Sequence, residues 1–521
     1  MERRHLYYND DGNTAMVLDG GPVERSLFTK HVNALEGAPI TTYVLCVSDG
    51  DTTCFPAQYA SPYWWRDTPA GRQHKSYVRT MEIFRRIGEE GWDYPCMVMA
   101  RALALGFRFI PSMRMNDAHY AQKIRPEDNP FTGKFRLEHP EMVIRPESPY
   151  PEHRRSITPH WFVDHILSFA HDEVRALRLA HAFEIIDRYA HDGFEMDWTR
   201  HYGYFRDDDV RPGLITDMVR KVRAKLRERE KATGRKMTFI VRVAPSIADS
   251  LALGFDVATW VREELVDVVV PASWTRTATF DMPMGEWAKL VAGTGIEVHA
   301  SPDTMTVRGN VSLDMFRAIA SNYWHMGADG IYFFNLFCRG FPLAEDSYAI
   351  LRECSAGPEA LVGRGKLYCA THESWRPDTD VLFARMRGPD RPARVGIYVG
   401  DDLAAAHAAG TLRQATLRLR IDHAMPSDPI EVALNGARVD LLAARREAGD
   451  PKAEAVGWCW DRPYGLLGNP WFWLEVDLDV LPGGPVLPRQ GDNVVTVRSF
   501  ATGNRRLTDV DIAVRYEPHG R

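Results

Sequence analysis

Up to about residue 350, short runs rich in β-branched and aromatic residues alternate with longer segments whose apolar positions recur at helical spacing. That alternation is the pattern of βα units around a parallel sheet. Eight runs read as strands: HLYYND, TTYVLCVSD, FRFIPSMR, GFEMDWTR, MTFIVRVAP, DVVVPASW, IEVHASPD and GIYFFNLF. The clearest helix runs from Asp172 to Tyr189, where Leu179, Ala182, Phe183, Ile186 and Tyr189 share one face that should pack on a sheet. A second helix turns Ile215, Met218, Val222 and Leu226 inward and leaves Lys221, Arg223, Lys225, Arg227 and Arg229 for a solvated outer face. Pro95 sits in a plausible first helical turn and Gly106 follows the last periodic residue, the asymmetry expected of a helix that feeds the next strand. Asp192-Gly193 and Asp329-Gly330 each end a helix and open a strand.

Eight strands with intervening helices predict a (β/α)8 TIM barrel over residues 1–355. An open doubly wound sheet usually carries a glycine-rich phosphate turn, and neither GxGxxG nor GxxxxGK[ST] follows any strand. The loops after the second and third strands are long and rich in aromatics and proline, as loops that shape a cleft are. Beyond residue 355 the pattern changes to short alternating segments such as RVGIYVG, ATLRLRID, PIEVALNGARV, WFWLEVDLDV and DNVVTVRSF. Residues 356–521 therefore predict an antiparallel β-sandwich, with Asn435-Gly436 as a hairpin turn. Its expected role is structural, with carbohydrate binding as the alternative, because Trp471 and Trp473 on alternate positions suit a core or a sugar face equally.

Composition narrows the function. The 521 residues carry 64 Lys+Arg against 70 Asp+Glu, a formal charge of −6 without a long block of one sign, which argues against a nucleic-acid partner. No run approaches the roughly 18 consecutive apolar residues of a membrane span. Seven scattered cysteines without a CxxC pair fit buried thiols in a reducing compartment. The start, MERRHLYYNDDGN, lacks the apolar stretch and cleavage site of a signal peptide, so a cytoplasmic location is expected, with homo-oligomerisation left open.

In a barrel, chemistry lives at the carboxyl ends of the strands, and polar residues that interrupt apolar runs there are informative. Strand alternation puts Glu195 and Asp197 of GFEMDW on one side, with Asp197 nearer the mouth, while Phe194 and Met196 face the helices. Carboxylate pairs at a barrel mouth suit glycosidic bond cleavage, in which one protonates the leaving oxygen and the other stabilises or attacks the oxocarbenium-like centre. Asp197 is the expected nucleophile or charge stabiliser, and Asp303, after the seventh strand, the expected partner acid, with Glu195 and Asp117 as alternatives. The bland reading is that Asp197 caps a turn or holds an arginine. Asp10, Arg114, Asn116, Asp117, Arg200, His201, Arg242, Trp274, His299 and Asn335 form the expected substrate-binding set. Arg114, Arg200 and Arg242 would suit a uronic or sulfated sugar, or would simply neutralise the neighbouring acids.

Two other classes compete. His119, His201, His299 and several aspartates could assemble a metal-dependent hydrolase, although no HxH, HExxH or clustered DxD is present; a non-catalytic carbohydrate-binding protein is the third reading. The segments EVRALRLAHAFEIIDRYAHDGFEMDWTRHYGYF, YYNDDG and FDVATWVREELVDVVVPASW resemble the bacterial glycoside-hydrolase-like barrel family, often described as family-ten-type glycosyl hydrolases. The resemblance covers most of residues 1–350, and the stretches from RVGIYVGDD to GDNVVTVR are similar to the β-sandwich that follows such barrels. It implies a carbohydrate-active enzyme with a functional fourth-strand acid, here Asp197. No organic cofactor or metal is expected, and without a secretion signal the expected substrate is an imported oligosaccharide rather than an intact polymer. It carries over no proton donor, so Asp303 rests on the barrel argument alone.

Overall fold

The computed structural model describes residues 5–117, 127–144, 166–273, 278–371, 378–449 and 470–517, apart from positions 74, 202, 207, 307, 308, 335, 342, 381, 383 and 387. Two compact units emerge: Met1–Thr275 with Glu286–Ser301 and Asp329–Glu345, and Arg276–Gly285 with Pro302–Ala328 and Asp346–Arg521.

The first unit holds all eight expected strands, β1 (Tyr7–Asp10), β2 (Thr42–Ser48), β3 (Arg108–Arg114), β4 (Gly193–Asp197), β5 (Thr238–Val243), β6 (Val268–Pro271), β7 (Glu297–Ala300) and β8 (Gly330–Phe333). They pair in chain order, every pair parallel, and β1 closes the ring by pairing with β2 on one side and β8 on the other. The fold is thus a closed (β/α)8 barrel. Its strands are buried almost throughout, which is why they read as near-continuous apolar runs rather than as alternating ones. Tyr7, Val44, Ile110, Ile240, Val268, Val270, Tyr332 and Phe334 form one buried cluster.

The helix Asp172–Tyr189 has the expected bounds but a rotated face. Val174, Arg178, His181, Ala182, Ile185, Ile186 and Tyr189 are buried, whereas Leu179 and Phe183 are only half-buried. Polar groups win the inner face because loop carbonyls need donors there. Arg178 is wholly buried, its Nε donates to the Met115 carbonyl at 3.1 Å and its Nη1 to the Gly50 carbonyl, while His181 Nε2 meets Ser48 Oγ at 2.9 Å. The helix Pro212–Thr233 buries Ile215, Met218, Val222 and Leu226 as expected. Arg223 departs from its expected outer face: it is buried, donating to the Leu265 carbonyl at 2.6 Å and to Asp267 at 2.6 Å. In the helix Tyr94–Ala104, Pro95 lies in the first turn, capped by Asp93, which accepts from the Cys96 amide at 3.1 Å.

The second unit is antiparallel in its sheets. One sheet orders Lys366–Cys369, Arg505–Tyr516, Leu412–Asp422, Trp471–Asp477 and Arg445–Ala448, with Ala384–Met386 also paired to Arg505–Tyr516; the other orders Ala393–Val399, Gly491–Ser499, Ile430–Leu434 and Ala437–Val439. Asn435 and Gly436 both take positive φ, 52° and 84°, as a two-residue hairpin turn demands. Trp471 and Trp473 are half-buried and lie beneath the guanidinium groups of Arg420 at 4.2 Å and Arg418 at 4.8 Å. Among the described residues no helix is long and apolar enough to cross a membrane, and Cys46, Cys54, Cys96, Cys354 and Cys369 are free thiols.

The turn leaving β1 tolerates only glycine at position 12. Gly12 has φ +82°, and a Cβ there would stand 2.1 Å from the Cys46 carbonyl oxygen. Gly12→Ala should cost about 3 kcal/mol, from the left-handed penalty plus the backbone clash. A urea midpoint equal to that of the wild type would show that this turn is not built as described.

Candidate active site at the carboxyl end of the barrel

Alternation along the strands selects the side chains that reach the barrel interior. From β4 these are Glu195 and Asp197, from β3 Ser112 and Arg114, from β5 Arg242, from β8 Tyr332 and from β1 Asn9, joined by a continuous set of contacts. Glu195 is fully buried; Ser112 Oγ donates to its Oε1 at 2.6 Å and Tyr332 Oη to its Oε2 at 2.7 Å. Tyr332 Oη in turn accepts from Asn9 Nδ2 at 3.1 Å. One step nearer the mouth, Asp197 Oδ2 accepts from Arg242 Nη1 at 2.6 Å, and its Oδ1 accepts from the Thr199 amide at 3.0 Å and hydroxyl at 2.8 Å. The Arg242 guanidinium also lies 4.0 Å from the centre of the Phe334 ring. Asp197 therefore both holds an arginine and caps a turn, as the bland reading expected, and it does so at the mouth of the barrel.

A second cluster continues outward. Arg114 Nη1 donates to Asp117 Oδ2 at 3.1 Å and Nη2 to Asp11 Oδ1, while His201 Nδ1 lies 3.0 Å from Asp117 Oδ1. Asp11 and Asp117 push the pKa of Arg114 up despite its burial. Asn116 staples loops: its Nδ2 donates to the Leu167 and Gly203 carbonyls at 2.9 and 2.8 Å, and its Oδ1 accepts from the Leu167 amide at 3.2 Å. Arg200 lies over Phe334 at 5.5 Å. Asp49, just past β2, accepts from the Tyr63 hydroxyl and from Thr52, and burial together with the Asp117 charge pushes its pKa up to about 7.

Burial explains the innermost group. Glu195, Asp197, Asp11 and Asp117 share this end of the barrel with the guanidiniums Arg114 and Arg242. Exclusion from water pushes the Glu195 pKa up to about 7; Arg242 opposes the shift, and the Asp197 charge adds to it by less.

Several expected site residues lie elsewhere. Asp10 faces outward from β1, where its Oδ2 accepts from the Tyr43 hydroxyl and pairs with His31 Nδ1 at 3.0 Å and its Oδ1 accepts from the Gly12 amide at 2.9 Å. Burial would raise its pKa, but His31 and these hydrogen bonds hold it below the usual range. The residue that β1 does send to the mouth is its neighbour Asp11. The run LYYND offers aromatic residues at both Tyr7 and Tyr8, so it gives no signal for which parity faces inward. His299 points away from the mouth: its Nε2 meets Glu297 Oε2, at the start of the same strand, at 2.8 Å. Asp303 belongs to the second unit and accepts from the Thr304 amide at 2.6 Å. Trp274, Asn335 and His119 lie outside the described residues. Ser112 and Thr199 were not foreseen, and Asp11 ends the first strand but was not placed in the expected site; Ser112 shares the inward parity of Arg114 and could have been found from it.

No known family profile matches the chain, and no curated protein matches its sequence. Solved structures that it resembles are glycoside hydrolases and related glucan-acting enzymes. A cycloisomaltooligosaccharide glucanotransferase from Paenibacillus sp. is 10% identical with a TM-score of 0.34, over 98% of this chain and 57% of that one. The chain thus spans little more than half the length of that enzyme. The α-amylase of Geobacillus thermoleovorans is 11% identical with a TM-score of 0.39, over 95% and 98% of the two chains. An Anoxybacillus α-amylase is 10% identical with a TM-score of 0.38, over 99% of both. These likenesses concern the fold. They assign no family to the chain, and the family-ten resemblance stays an expectation. Among the described residues no group of three or more His, Cys, Asp or Glu is arranged to hold a metal ion.

Glu195 makes stability pH-dependent with a definite sign. Its pKa is about 7 in the folded chain, above the ordinary glutamate value, so the folded state holds the proton more tightly than the unfolded state does. Its contribution is most favourable below the ordinary carboxylate range and is lost as pH rises through 7. Relative to wild type, Glu195→Gln should therefore gain melting temperature steadily between pH 5 and 8. Parallel melting curves across that range would show that Glu195 titrates normally.

Proposed function

We propose that the protein is a glycoside hydrolase that cleaves neutral oligosaccharides at the carboxyl end of its barrel. The observation that carries this reading is the buried excess of carboxyls over guanidiniums around Asp197, placed where barrel enzymes work. Buried charges of this kind are costly to a fold, and clusters with perturbed proton affinity concentrate at functional sites.

Asp197 is the carboxylate that opposes the oxocarbenium-like carbon, held in orientation by Arg242 and Thr199. Glu195, with both oxygens engaged and no exposure, is a positioning residue that seats Tyr332 and Ser112 beneath it. Asp303, the donor expected from the sequence alone, belongs to the second compact unit and is tested on that expectation rather than on any placement beside Asp197. Arg114 and Arg242 are already engaged by acids of the chain, which favours a neutral sugar over a uronic or sulfated one. The barrel over residues 1–355 is the catalytic part in this reading, and residues 356–521 are a structural support.

The test is a screen of wild type, Asp197→Asn and Asp303→Asn against neutral and acidic oligosaccharides, with and without chelator, with released sugars read by mass. Wild type should cleave a neutral substrate equally with chelator present. Asp197→Asn should lose about a thousandfold in kcat, and Asp303→Asn about a hundredfold or more through loss of the proton donor. Because Asp197→Asn also breaks a buried pair, which typically costs about 3–5 kcal/mol, melting curves of each variant accompany the assay. Equal cleavage by wild type and folded Asp197→Asn would overturn the assignment, and loss of activity with chelator followed by recovery with added metal would favour the metal-dependent hydrolase.

A further inference from the structure

The amino end of the barrel carries a cavity of about 450 Å³ that plays no part in the site above. Its lining comes from the first residues of strands, or those just before them: Tyr7 opens β1, Arg108 opens β3, Thr238 opens β5 and Glu297 opens β7. Thr238 lies four residues before Arg242, the partner of Asp197, or roughly 13 Å along the strand. The cavity and the Asp197 cluster therefore occupy opposite ends of the barrel.

The amino ends of barrel strands ordinarily serve stability, yet this lining leaves hydrogen-bonding capacity unused. Arg108, Arg235 and Lys236 line it together with Asp192, Asp267 and Glu297, and Arg223, outside the lining, already pairs with Asp267 at 2.6 Å. Each carboxylate commits one oxygen to the protein. Asp192 Oδ2 accepts from the Phe109 amide at 2.8 Å, Asp267 Oδ2 from the Phe239 amide at 2.8 Å, and Glu297 Oε2 faces His299 at 2.8 Å. The other oxygen of each has no partner among the described residues. Tyr7 is 1% exposed, and its hydroxyl has no hydrogen bond to any described residue. Burial and the Glu297 charge push its pKa up, so it remains an O–H donor. The ring of Tyr7 stacks with His5, whose Nδ1 is buried without a partner.

We propose that this cavity is a binding site for a small neutral polyhydroxylated ligand of mono- or disaccharide size. The mixed lining disfavours an ion of either sign: an anion would meet three carboxylates, and a cation three basic groups. Hydroxyl groups on successive carbons both donate and accept, which matches a wall of guanidinium and ammonium donors interleaved with free carboxylate oxygens. The volume falls within the ordinary range of small-molecule pockets. The site does not depend on the reading of the barrel mouth.

Isothermal titration of D-glucose, D-galactose, D-xylose and maltose into the full chain tests it, using wild type, Tyr7→Phe, Lys236→Ala and Asp197→Asn. Tyr7→Phe removes a hydroxyl that bonds nothing in the protein, and Lys236 is exposed, so both variants should melt as wild type does. At least one sugar should bind wild type, with affinity about tenfold weaker in Tyr7→Phe, as expected for one lost hydrogen bond, and weaker also in Lys236→Ala. Asp197→Asn should leave that binding unchanged, so a failed glycosidase assay and a failed titration are separate results. The proposal is overturned if none of the four sugars binds wild type, if both cavity variants bind as wild type does, or if binding disappears only in Asp197→Asn while its melting curve shows that it is folded.

Discussion

Four of the strand ends at the barrel mouth, those of β1, β3, β4 and β5, depend on the pairing of charges largely shut off from bulk water. Closing eight parallel strands removes the interior from solvent and requires side chains to fill it. In the lower half, apolar residues and tyrosines such as Val44, Ile110, Ile240 and Tyr332 do so. In the upper half the filling is ionic: Arg242 crosses from β5 to Asp197 on β4, and Arg114 on β3 reaches Asp11 beyond β1 and Asp117 beyond its own strand. A buried guanidinium left alone is far more costly than one that is paired. Each arginine therefore constrains the register of the strands whose acids it binds, and the carboxyl ends of β1, β3, β4 and β5 are held together by the same bonds that shape the mouth.

Much of the barrel was legible because a parallel strand covered on both faces must be apolar along its length, and eight such runs stand clear of the amphipathic segments between them. The orientation of Glu195 and Asp197 was legible for a related reason, since Phe194 and Met196 between them could only face the helices. At β1 the same reasoning had nothing to act on. Tyr7 and Tyr8 are both aromatic and both buried, so Asn9, Asp10 and Asp11 gave no parity, and only the contacts of Asp10 with His31 and Tyr43 reveal that it faces outward. His299 was misplaced by a different route: it has the inward parity, but its imidazole turns toward Glu297 at the start of its strand.

The helices show why polarity alone misleads. Arg178, His181 and Arg223 are charged or polar residues within amphipathic segments, and a solvated face is the natural expectation for them. All three are buried against neighbouring segments, where Arg178 and Arg223 donate to backbone carbonyls and His181 meets the Ser48 hydroxyl. Burial draws the Arg178 pKa down to about 10, and the nearby Asp51 charge works against that shift. These donors are read from the path of the neighbouring loops, which a one-dimensional pattern of hydrophobic positions does not encode.

The two ends of the barrel solve the same electrostatic problem differently, and the difference bears on what each can do. At the mouth, burial drives the Glu195 carboxyl toward its protonated form against the opposing Arg242 charge, so the cluster responds to pH near neutrality. Such a cluster is suited to moving protons. At the amino end, three basic groups face three carboxylates, and the spare oxygens are left over from hydrogen bonding rather than from a charge excess. A balanced wall has little reason to exchange protons but can still donate and accept hydrogen bonds, so it suits recognition. The two ends thus differ in what surrounds their carboxyls: at the mouth full burial raises the proton affinity of Glu195, whereas at the amino end carboxylates with spare oxygens stand beside basic groups.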